Sequence, residues 1–368
     1  MGPPEGYPRF CVLGAGHGGM AMAGHLALMG VPVTIYNRSE PRIEPIKLTG
    51  GIELFGAVEG FGRLEKATTD PAEVIEEADV LMVVVPANGH RFMAEKVAPY
   101  LRDGQIIVLN PGRTGGAFEF RHVLRGCGVT ADVIVAEAQT LLYAARSVNP
   151  AQVRVFGIKN TIPVAALPGQ RTVEVVRVLR QGYPQFVPGD NVLKTSLDNI
   201  GAIFHPALMV LNAARIESTR GEFQFYMEGI TPSIARVLEA VDVERVAVAA
   251  ALGIRAMTAR EWLYVAYDAA GKTLYDAIRT NPGYEGITAP PILDHRYLWE
   301  DVPMSLVPVA SLGELLGVPT PTIRALIYLA SLINATDYWA EGRTVERMGL
   351  AGLTARQIRH LALEGEIG

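Results

Sequence analysis

The first half of the chain alternates short, almost continuous apolar runs with segments of helical character. Gly, Pro or Asp bounds each run, which is typical of strands covered on both faces of a parallel sheet. The runs are RFCVL at 9–13, PVTIY at 32–36, DVLMVVV at 79–85, QIIVL at 105–109 and DVIVA at 132–136. The segments between them, such as RFMAEKVAPYLRDG at 91–104, predict helices that stop at glycine. This alternation predicts a doubly wound α/β sheet.

The pattern changes near Pro188-Gly189-Asp190. Before this point, RVFGIKN at 154–160 and VAALP at 164–168 predict further strands. After it, Ala- and Leu-rich helical patterns dominate and strand-like runs almost vanish. We therefore predict an α/β domain in residues 1–188 and an all-helical domain in residues 189–368.

Composition and charge exclude several functional classes. The 33 basic and 38 acidic side chains give a formal net charge of −5, so we expect no nucleic-acid partner. Cys11 and Cys127 are too few for a disulfide framework or a zinc knuckle and favour a reducing cytoplasm. The most apolar stretch, residues 200–214, contains His and Pro and is shorter than the roughly 18 residues of a membrane span. The opening MGPPEGYPRF has no secretory-signal pattern, so we expect a cytoplasmic protein without a membrane partner.

The clearest motif is GAGHGG, a G-x-G-x-x-G pattern at Gly14, Gly16 and Gly19. In a chain with 38 glycines the pattern alone is weak, but here it follows the first predicted strand and opens a predicted helix. Gly14 permits a tight turn, Gly16 lets the backbone approach a pyrophosphate, and Gly19 lets helix and strand pack closely. The free N–H groups of the helix start then face the phosphates. The motif therefore predicts a Rossmann-like dinucleotide-binding domain.

The end of the second strand bears on which dinucleotide binds. An NAD site usually has Asp or Glu there, accepting from the ribose 2′-hydroxyl, whereas this chain has Asn37-Arg38-Ser39. No carboxylate precedes Glu40, and Arg38 has the planar fork that pairs with a 2′-phosphate. We predict NADP(H) as the preferred cofactor. NAD(H) remains possible, with Arg38 as a solvated loop residue.

Loops at the carboxyl ends of other strands belong to the same crevice of the predicted sheet. Val85-Pro86 and Asn110-Pro111-Gly112 follow two of the strands, and Glu137 follows another near the reacting end. The predicted cofactor-binding residues are Gly14, Ala15, Gly16, His17, Gly18, Gly19, Asn37, Arg38, Val85, Pro86, Asn110, Pro111, Gly112 and Glu137.

Three longer segments carry a family resemblance. They are EAQTLLYAAR at 137–146, SLDNIGAIFHPALMVLNA at 196–213 and HRYLWEDVPMSLVPVASLGELLGVPTP at 295–321. In matching order they resemble the octopine/nopaline (opine) dehydrogenase family, within the wider group of 6-phosphogluconate and glycerol-3-phosphate dehydrogenases. The resemblance implies reductive condensation of an α-keto acid with the amine of an amino acid by NADH or NADPH. The expected partners are therefore those two small-molecule substrates.

His205 lies on an apolar helical segment just before Pro206. Its imidazole can donate a proton to a carbonyl oxygen or stabilise an iminium, although a lone His on such a helix is more often a satisfied core residue. The resemblance implies the catalytic role. It also implies Asp301 as the acidic partner, which fixes the imidazole tautomer, with the neighbouring Glu300 as a competing candidate.

Arg296 resembles the family's arginine for a substrate carboxylate, and its planar fork suits that ligand. The alternative is a structural ion pair with Asp294 or Glu300. His295 is a rival to His205 because it stands beside Arg296. The remaining histidines show no metal-ligand spacing, so we expect no metal.

Two other functions stay open from the sequence. A simple hydroxy-acid or ketone dehydrogenase of the same fold uses a Lys with a downstream Asn, and Lys194 and Asn199 stand in KTSLDN. If the chain is instead an opine dehydrogenase, we predict that Asn199 binds substrate. The second alternative is a non-catalytic NAD(P)-binding sensor. A homodimer through the apolar C-terminal helices is also predicted.

Overall fold

The computed structural model describes residues 6–367, and the first residues of MGPPEGYPRF, on which the signal-sequence expectation rests, lie outside this range. The chain divides into two compact units. Unit 1 consists of the chain up to Ser196 together with the C-terminal residues from His360, and unit 2 is Leu197–Arg359. Within the described residues no helix combines the length and apolarity that a membrane crossing requires.

Unit 1 is built on an eight-stranded sheet in the order β12-β11-β8-β7-β6-β1-β2-β5. Its pairs are parallel except β11 with β8. Its strands are β1 Phe10–Leu13, β2 Val33–Tyr36, β5 Lys66–Thr68, β6 Val80–Val83, β7 Ile106–Leu109, β8 Ile134–Ala138, β11 Ile162–Leu167 and β12 Phe186–Pro188. The central strands are buried on both faces, as their continuous apolar runs predict.

A smaller sheet in the order β4-β3-β10-β9 belongs to the same unit. Its strands are β3 Gly51–Gly56, β4 Gly60–Arg63, β9 Tyr143–Asn149 and β10 Gln152–Ile158. The helices of unit 1 are α1 His17–Leu28, α2 Glu40–Thr49, α3 Ala72–Ile75, α4 His90–Val97, α5 Gly116–Gly126, α6 Thr172–Leu179 and α7 Val192–Leu197, whose last residue opens unit 2.

Helix α1 is covered by both sheets, which explains its composition. It is rich in Gly, Ala and Met and is buried along most of its length. A Cβ on Gly24 would lie 2.7 Å from Leu54 Cδ1 of β3, so a larger residue there would push the small sheet away. The small side chains of α1 therefore hold the nucleotide motif at its N-terminus between two sheets.

Unit 2 is helical, with one isolated bridge between Gln224 and Thr288. Its helices are α8 Gly201–Leu211, α9 Ala213–Thr219, α10 Pro232–Ala251, α11 Ala259–Tyr267, α12 Leu274–Arg279, α13 Arg296–Trp299, α14 Val307–Leu316, α15 Pro321–Ile333 and α16 Tyr338–Glu341, and α17 Ala355–Glu364 runs back into unit 1. A π-helical turn at Val302–Leu306 precedes α14. The predicted fold class, a Rossmann-like sheet followed by an all-helical region, is confirmed.

The division into units differs from the single boundary that the sequence predicts at residue 188. Thr195 and Ser196 of α7 both donate hydrogen bonds to Glu137 of β8, so this helix stays with the sheet. At the other end of the chain, Arg121 Nη2 donates to the Gly365 carbonyl at 2.5 Å. Such side-chain contacts between distant residues leave no local pattern in the sequence.

Candidate active site

The G-x-G-x-x-G loop connects β1 to α1, and each glycine has a different steric reason. Gly14 has φ +121°, and a Cβ there would overlap the Val84 carbonyl oxygen. A Cβ on Gly19 would overlap the Gly14 carbonyl oxygen, so this glycine lets α1 approach β1. A Cβ on Gly16, in contrast, would meet nothing within 4 Å. Gly16 therefore borders open space at the start of α1.

That open space fits a dinucleotide. No side chain caps the start of α1, so the N–H groups of its first turn face the space beside Gly16. The His17 ring is held by Ser147 of β9, whose N–H donates to Nδ1 at 2.9 Å. The donor set is mostly backbone N–H, which suits a pyrophosphate. The residues present thus fit the cofactor that the motif predicts.

At the end of β2, Asn37 and Arg38 have different surroundings. Asn37 Oδ1 accepts a hydrogen bond from the Ala15 N–H at 3.2 Å, which ties β2 to the glycine loop. The Arg38 guanidinium lies 5.1 Å from the centre of the Phe92 ring, and Lys96 Nζ lies 5.6 Å from the same ring. A cavity of about 490 Å³ opens here, lined by Tyr36, Arg38, Phe92, Lys96 and Tyr100 among others.

Glu40 does not offer its carboxylate to this cavity. Lys47 Nζ lies 3.1 Å from one oxygen, and the Thr69 hydroxyl donates to the other at 3.0 Å. The hydrogen bonds from Lys47 and Thr69 hold the pKa of Glu40 below its ordinary value. The cavity beside Arg38 is therefore lined by two cations, and Glu95 also reaches its edge.

The other predicted cofactor loops lie at the carboxyl ends of β6, β7 and β8. Val85 lies close to the glycine loop, since a Cβ built on Gly14 would lie 2.9 Å from Val85 Cγ1. Pro86 directly precedes the 3₁₀ turn Ala87–Gly89. The Asn110 side chain donates to the Val108 carbonyl at 2.8 Å. Pro111 and Gly112 follow, and a Cβ on Gly112 would overlap the Glu137 carboxylate.

Glu137 is buried and engaged by protein donors. It accepts hydrogen bonds from the hydroxyls of Thr195 at 2.7 Å and Ser196 at 2.8 Å, and from the Ala117 N–H at 3.0 Å. The carboxylate thus joins β8 to the first turn of α5 and to α7. Its predicted contact with the cofactor stays a prediction, and no spacing in the sequence pointed to these donors.

In unit 2 the structure brings together two predicted residues that are 96 positions apart. His205 Nδ1 of α8 lies 2.7 Å from Asp301 Oδ2. The Asp301 side chain is 1% exposed and the His205 side chain is 19% exposed. A buried carboxylate on Nδ1 fixes the tautomer and orientation of the imidazole and stabilises its protonated form. This pair is called the His–Asp dyad below.

The segment that carries Asp301 is held by a hydrogen bond from Asn199, which lies just before α8. Asp301 stands directly before the π-helical turn Val302–Leu306, an arrangement frequent at functional sites. Asn199 Nδ2 donates to Ser305 Oγ of this turn at 3.0 Å, and both side chains are buried. Asn199 therefore supports the dyad segment. Its predicted substrate contact stays a prediction.

Aromatic rings surround the His205 imidazole. Tyr297 stacks on it with ring centres 3.9 Å apart and planes 15° apart. The Tyr226 hydroxyl lies 3.1 Å from Nε2. Sequence reasoning missed Tyr226, because the run FQFYM that contains it has no motif linking it to His205.

Arg296 and His295 lie beside the dyad but have other partners. Arg296 Nε donates to Glu300 Oε2 at 2.8 Å, and Nη2 lies 2.5 Å from the same oxygen. The ion-pair alternative is therefore present, while the Arg296 side chain is 48% exposed. The His295 Nδ1 accepts the Tyr297 N–H at 3.3 Å and caps α13, and burial and the nearby Arg296 lower its pKa. Asp301, and not Glu300, is the carboxylate on His205.

Lys194 lies on α7, in unit 1. In the part of the chain that the structure describes, no group of His, Cys, Asp and Glu side chains is arranged to hold a metal ion. Unit 1 thus provides a dinucleotide-binding loop, and unit 2 provides the His–Asp dyad, an arrangement suited to acid–base chemistry. These two elements define an NAD(P)-dependent dehydrogenase with a helical second domain.

Comparisons with known proteins narrow this class. A family profile described as NAD/NADP octopine/nopaline dehydrogenase, alpha-helical domain, matches residues 188–334. A second, described as NAD-dependent glycerol-3-phosphate dehydrogenase N-terminus, matches residues 9–112. An opine dehydrogenase of Arthrobacter sp. (strain 1C) is 42% identical over 351 residues, which cover 95% of this chain and 97% of that protein.

More distant relatives agree. Octopine dehydrogenase of Pecten maximus is 27% identical over 373 residues, covering 91% of this chain and 92% of that protein. The solved structure of octopine dehydrogenase in complex with NADH and agmatine matches with a TM-score of 0.82 at 25% identity, covering 95% of this chain and 97% of that one. The chain belongs to the octopine/nopaline (opine) dehydrogenase family. It is an NAD(P)-dependent oxidoreductase of the opine dehydrogenase type.

Proposed function

We propose that this enzyme condenses an α-keto acid with an amino acid reductively, with His205 as the acid–base group and Asp301 as its orienting partner. The observation that carries the proposal is the 2.7 Å contact between His205 Nδ1 and Asp301 Oδ2. A lone core histidine needs no buried carboxylate. A histidine that must gain and lose a proton during a reaction is stabilised by one.

The chemistry assigns His205 two proton transfers. It first takes a proton from the ammonium group of the amino acid, so that the free amine attacks the keto carbon. It then returns the proton to the hydroxyl of the adduct, which leaves as water and forms the C=N bond. NAD(P)H, when bound, supplies the hydride that reduces this bond. One keto acid, one amino acid in its ammonium form and one hydride thus give one neutral secondary amine and one water.

The residues of the glycine loop would hold the cofactor in unit 1. The N–H groups at the start of α1 bind the pyrophosphate, and the open space beside Gly16 admits it. We expect NADP(H) to be preferred over NAD(H). Support comes from Arg38 and Lys96, the two cations that line the cavity at the end of β2, and from Glu40, whose carboxylate is engaged by Lys47 and Thr69.

For the substrate carboxylates we propose Arg296. Its half-exposed guanidinium uses Nε and Nη2 for Glu300, and the rest of the fork is available to a carboxylate. The buried Glu300 holds the arginine in place beside the dyad segment.

The simple dehydrogenase that uses Lys194 and Asn199 has less support. The Asn199 amide is bound to Ser305, and the acid–base pair lies elsewhere in unit 2. The sensor alternative gives no reason for a buried carboxylate on His205. The enzyme assignment rests on the family membership, and this contact supports the proposed mechanism.

The dyad is tested by steady-state kinetics of three variants, His205→Ala, Asp301→Asn and the double variant. We expect His205→Ala to lower kcat by about 10²–10⁴-fold, the usual contribution of general acid–base catalysis. The double variant should be little worse than His205→Ala, because residues that act as one unit have non-additive effects. NADPH affinity, measured by fluorescence, should be unchanged in all three.

His295→Asn is the matched control. Asparagine keeps an acceptor at the N-cap of α13, so we expect nearly unchanged kcat. If His205→Ala keeps kcat and His295→Asn loses it, the acid–base role belongs to His295 and the proposed dyad is wrong.

Two further predictions concern the setting of the enzyme. We propose a cytoplasmic location, supported by two free cysteines, Cys11 buried and Cys127 exposed, neither of which is in a disulfide. We also propose a homodimer through the C-terminal helices, supported by the exposed Tyr328, Leu329 and Leu332 of α15. Light scattering after size-exclusion chromatography tests the dimer, and a Leu332→Glu variant that leaves the mass unchanged would argue against this surface.

A further inference from the structure

The second nitrogen of the His205 ring has a partner outside the dyad. The Tyr226 hydroxyl lies 3.1 Å from Nε2, in the segment between α9 and α10. The Tyr226 ring is itself fixed, stacked on Tyr284 with centres 4.1 Å apart and edge-on to Phe204 at 6.3 Å. Only 6% of the residue is exposed. The hydroxyl is therefore held at this position by its ring.

The hydrogen positions follow from the chemistry of the partners. A carboxylate only accepts, so Nδ1 donates to Asp301 and the neutral ring presents a lone pair at Nε2. The Tyr226 O–H then donates to Nε2. When the ring is protonated, the same hydroxyl turns and accepts the Nε2 proton. Burial raises the pKa of Tyr226 well above its ordinary value, so the hydroxyl keeps its proton in the resting enzyme.

This geometry restricts how His205 exchanges a proton. An imidazole nitrogen has one lone pair in the ring plane, and at Nε2 it is directed at Tyr226. At Nδ1 the proton is directed at Asp301. A substrate that exchanged a proton directly with His205 would first have to displace the tyrosine. The hydroxyl, in contrast, has two lone pairs and can accept from a substrate while it donates to Nε2.

We propose that Tyr226 is the third member of a proton relay, Asp301–His205–Tyr226, and that its hydroxyl meets the reacting atoms. The inference rests on the proposed function. The amino-acid ammonium gives a proton to the Tyr226 oxygen while the Tyr226 proton moves to Nε2. The reverse transfer delivers the proton to the hydroxyl of the adduct, which leaves as water. No electrons are exchanged in either step, and Tyr226 ends each cycle as a neutral phenol.

The test is Tyr226→Phe, which removes the hydroxyl and keeps the ring stacked on Tyr284. We expect kcat/KM for the amino acid to fall by at least about 100-fold, the lower end of the range for acid–base catalysis, with unchanged affinity for NADPH. In mixtures of H₂O and D₂O, the wild-type rate should depend non-linearly on the deuterium fraction, because two protons move together. The variant should lose this curvature.

Tyr338→Phe is the matched control. Tyr338 is a buried tyrosine of the same unit, and its hydroxyl accepts a hydrogen bond from Asn334 at 2.8 Å. This variant should lose a comparable buried hydrogen bond, measured as a small drop in the thermal unfolding midpoint, without a change in kcat/KM. A 3-fluorotyrosine at position 226, which restores a hydroxyl, should recover most of the lost rate.

The outcomes separate this proposal from the dyad. Full kcat/KM in Tyr226→Phe together with an inactive His205→Ala would overturn the relay alone, because Nε2 would then exchange its proton directly. Full activity in both variants would overturn the dyad as well. A rate loss that 3-fluorotyrosine does not repair would also contradict the relay, since the defect would lie in the fit of the ring.

Discussion

The two units build their sites from different parts of the polypeptide. In unit 1 the backbone forms the proposed pyrophosphate site, and Arg38 is a separate side-chain contribution: three glycines shape the loop, and the open space beside Gly16 is bordered by N–H groups of α1. In unit 2 side chains form the proposed site: a carboxylate, an imidazole and a phenol come from three separate segments. A backbone site is damaged by adding atoms, whereas a side-chain site is damaged by removing them. The two sites should therefore respond to opposite kinds of substitution.

The largest expected effect in unit 1 concerns Arg38. Arg38→Ala should weaken the binding of NADPH by about 10–150-fold and leave the binding of NADH nearly unchanged. Only NADPH loses charged hydrogen bonds, which are worth about 1.5–3 kcal/mol. The measurement is KM for both cofactors. Arg91→Ala removes the same charge from α4, where Arg91 pairs with Glu95, and should change neither value. A wild type that strongly prefers NADH, with no effect of Arg38→Ala, would refute the NADP(H) preference.

Adding a single methyl group should break the backbone site with the fold intact. Gly16→Ala places Cβ where nothing lies within 4 Å, and the φ of −83° suits alanine. The methyl occupies the approach of the pyrophosphate, so we expect cofactor affinity to fall by about 5–150-fold, from the 1–3 kcal/mol typical of overpacking. The thermal unfolding midpoint should not drop. Unaltered cofactor affinity in a folded Gly16→Ala enzyme would show that the phosphates bind elsewhere.

In unit 2 a change of shape at constant charge should have a smaller effect. Arg296→Lys replaces a planar fork by a point charge, so KM for the keto acid should rise about 2–12-fold, the weight of one ordinary hydrogen bond of about 0.5–1.5 kcal/mol. Arg215→Lys, another half-exposed arginine of unit 2 in an ion pair with Glu228, should leave KM unchanged. An equal rise in both variants would mean that Arg296 acts only through stability.

The smallest effect concerns acid stability, to which a histidine of each unit contributes. Burial lowers the pKa of His25 in unit 1 and of His295 in unit 2 below the ordinary 6.5. As the pH falls, the unfolded chain therefore binds these protons at a higher pH than the folded chain does. The contribution of the neutral histidines to the free energy of unfolding is complete above about pH 6.5 and is lost as the pH falls below that value. Between about pH 7.5 and about pH 5.5, the midpoint temperature of thermal unfolding should fall less steeply in His25→Gln or His295→Asn than in the wild type. A wild-type slope in both variants would contradict this.

The same contrast explains how much the sequence predicts. The five apolar runs and the glycine motif are local patterns, and all of them correspond to observed strands and to the loop before α1. The four-stranded sheet was largely missed, because β3 and β4 contain glycines and charged residues that are typical of loops.

The side-chain site is harder to derive. No spacing links His205 to Asp301, and the prediction that they act together came from the family resemblance. Tyr226 and the Ser305 contact of Asn199 were not predicted at all. Each depends on how distant helices meet, and that information is distributed over the whole core of unit 2 and not carried by any one motif.

The central claim is that this enzyme joins a keto acid and an amino acid through a C–N bond and oxidises NAD(P)H in the same reaction. It is tested most directly by following NADPH absorbance with pyruvate alone, with a panel of amino acids alone, and with both together, and by mass spectrometry of the product. We predict oxidation only when both substrates are present, with one secondary amine formed for each NADPH consumed. Oxidation with the keto acid alone at the same rate, and a hydroxy acid as the product, would contradict the account.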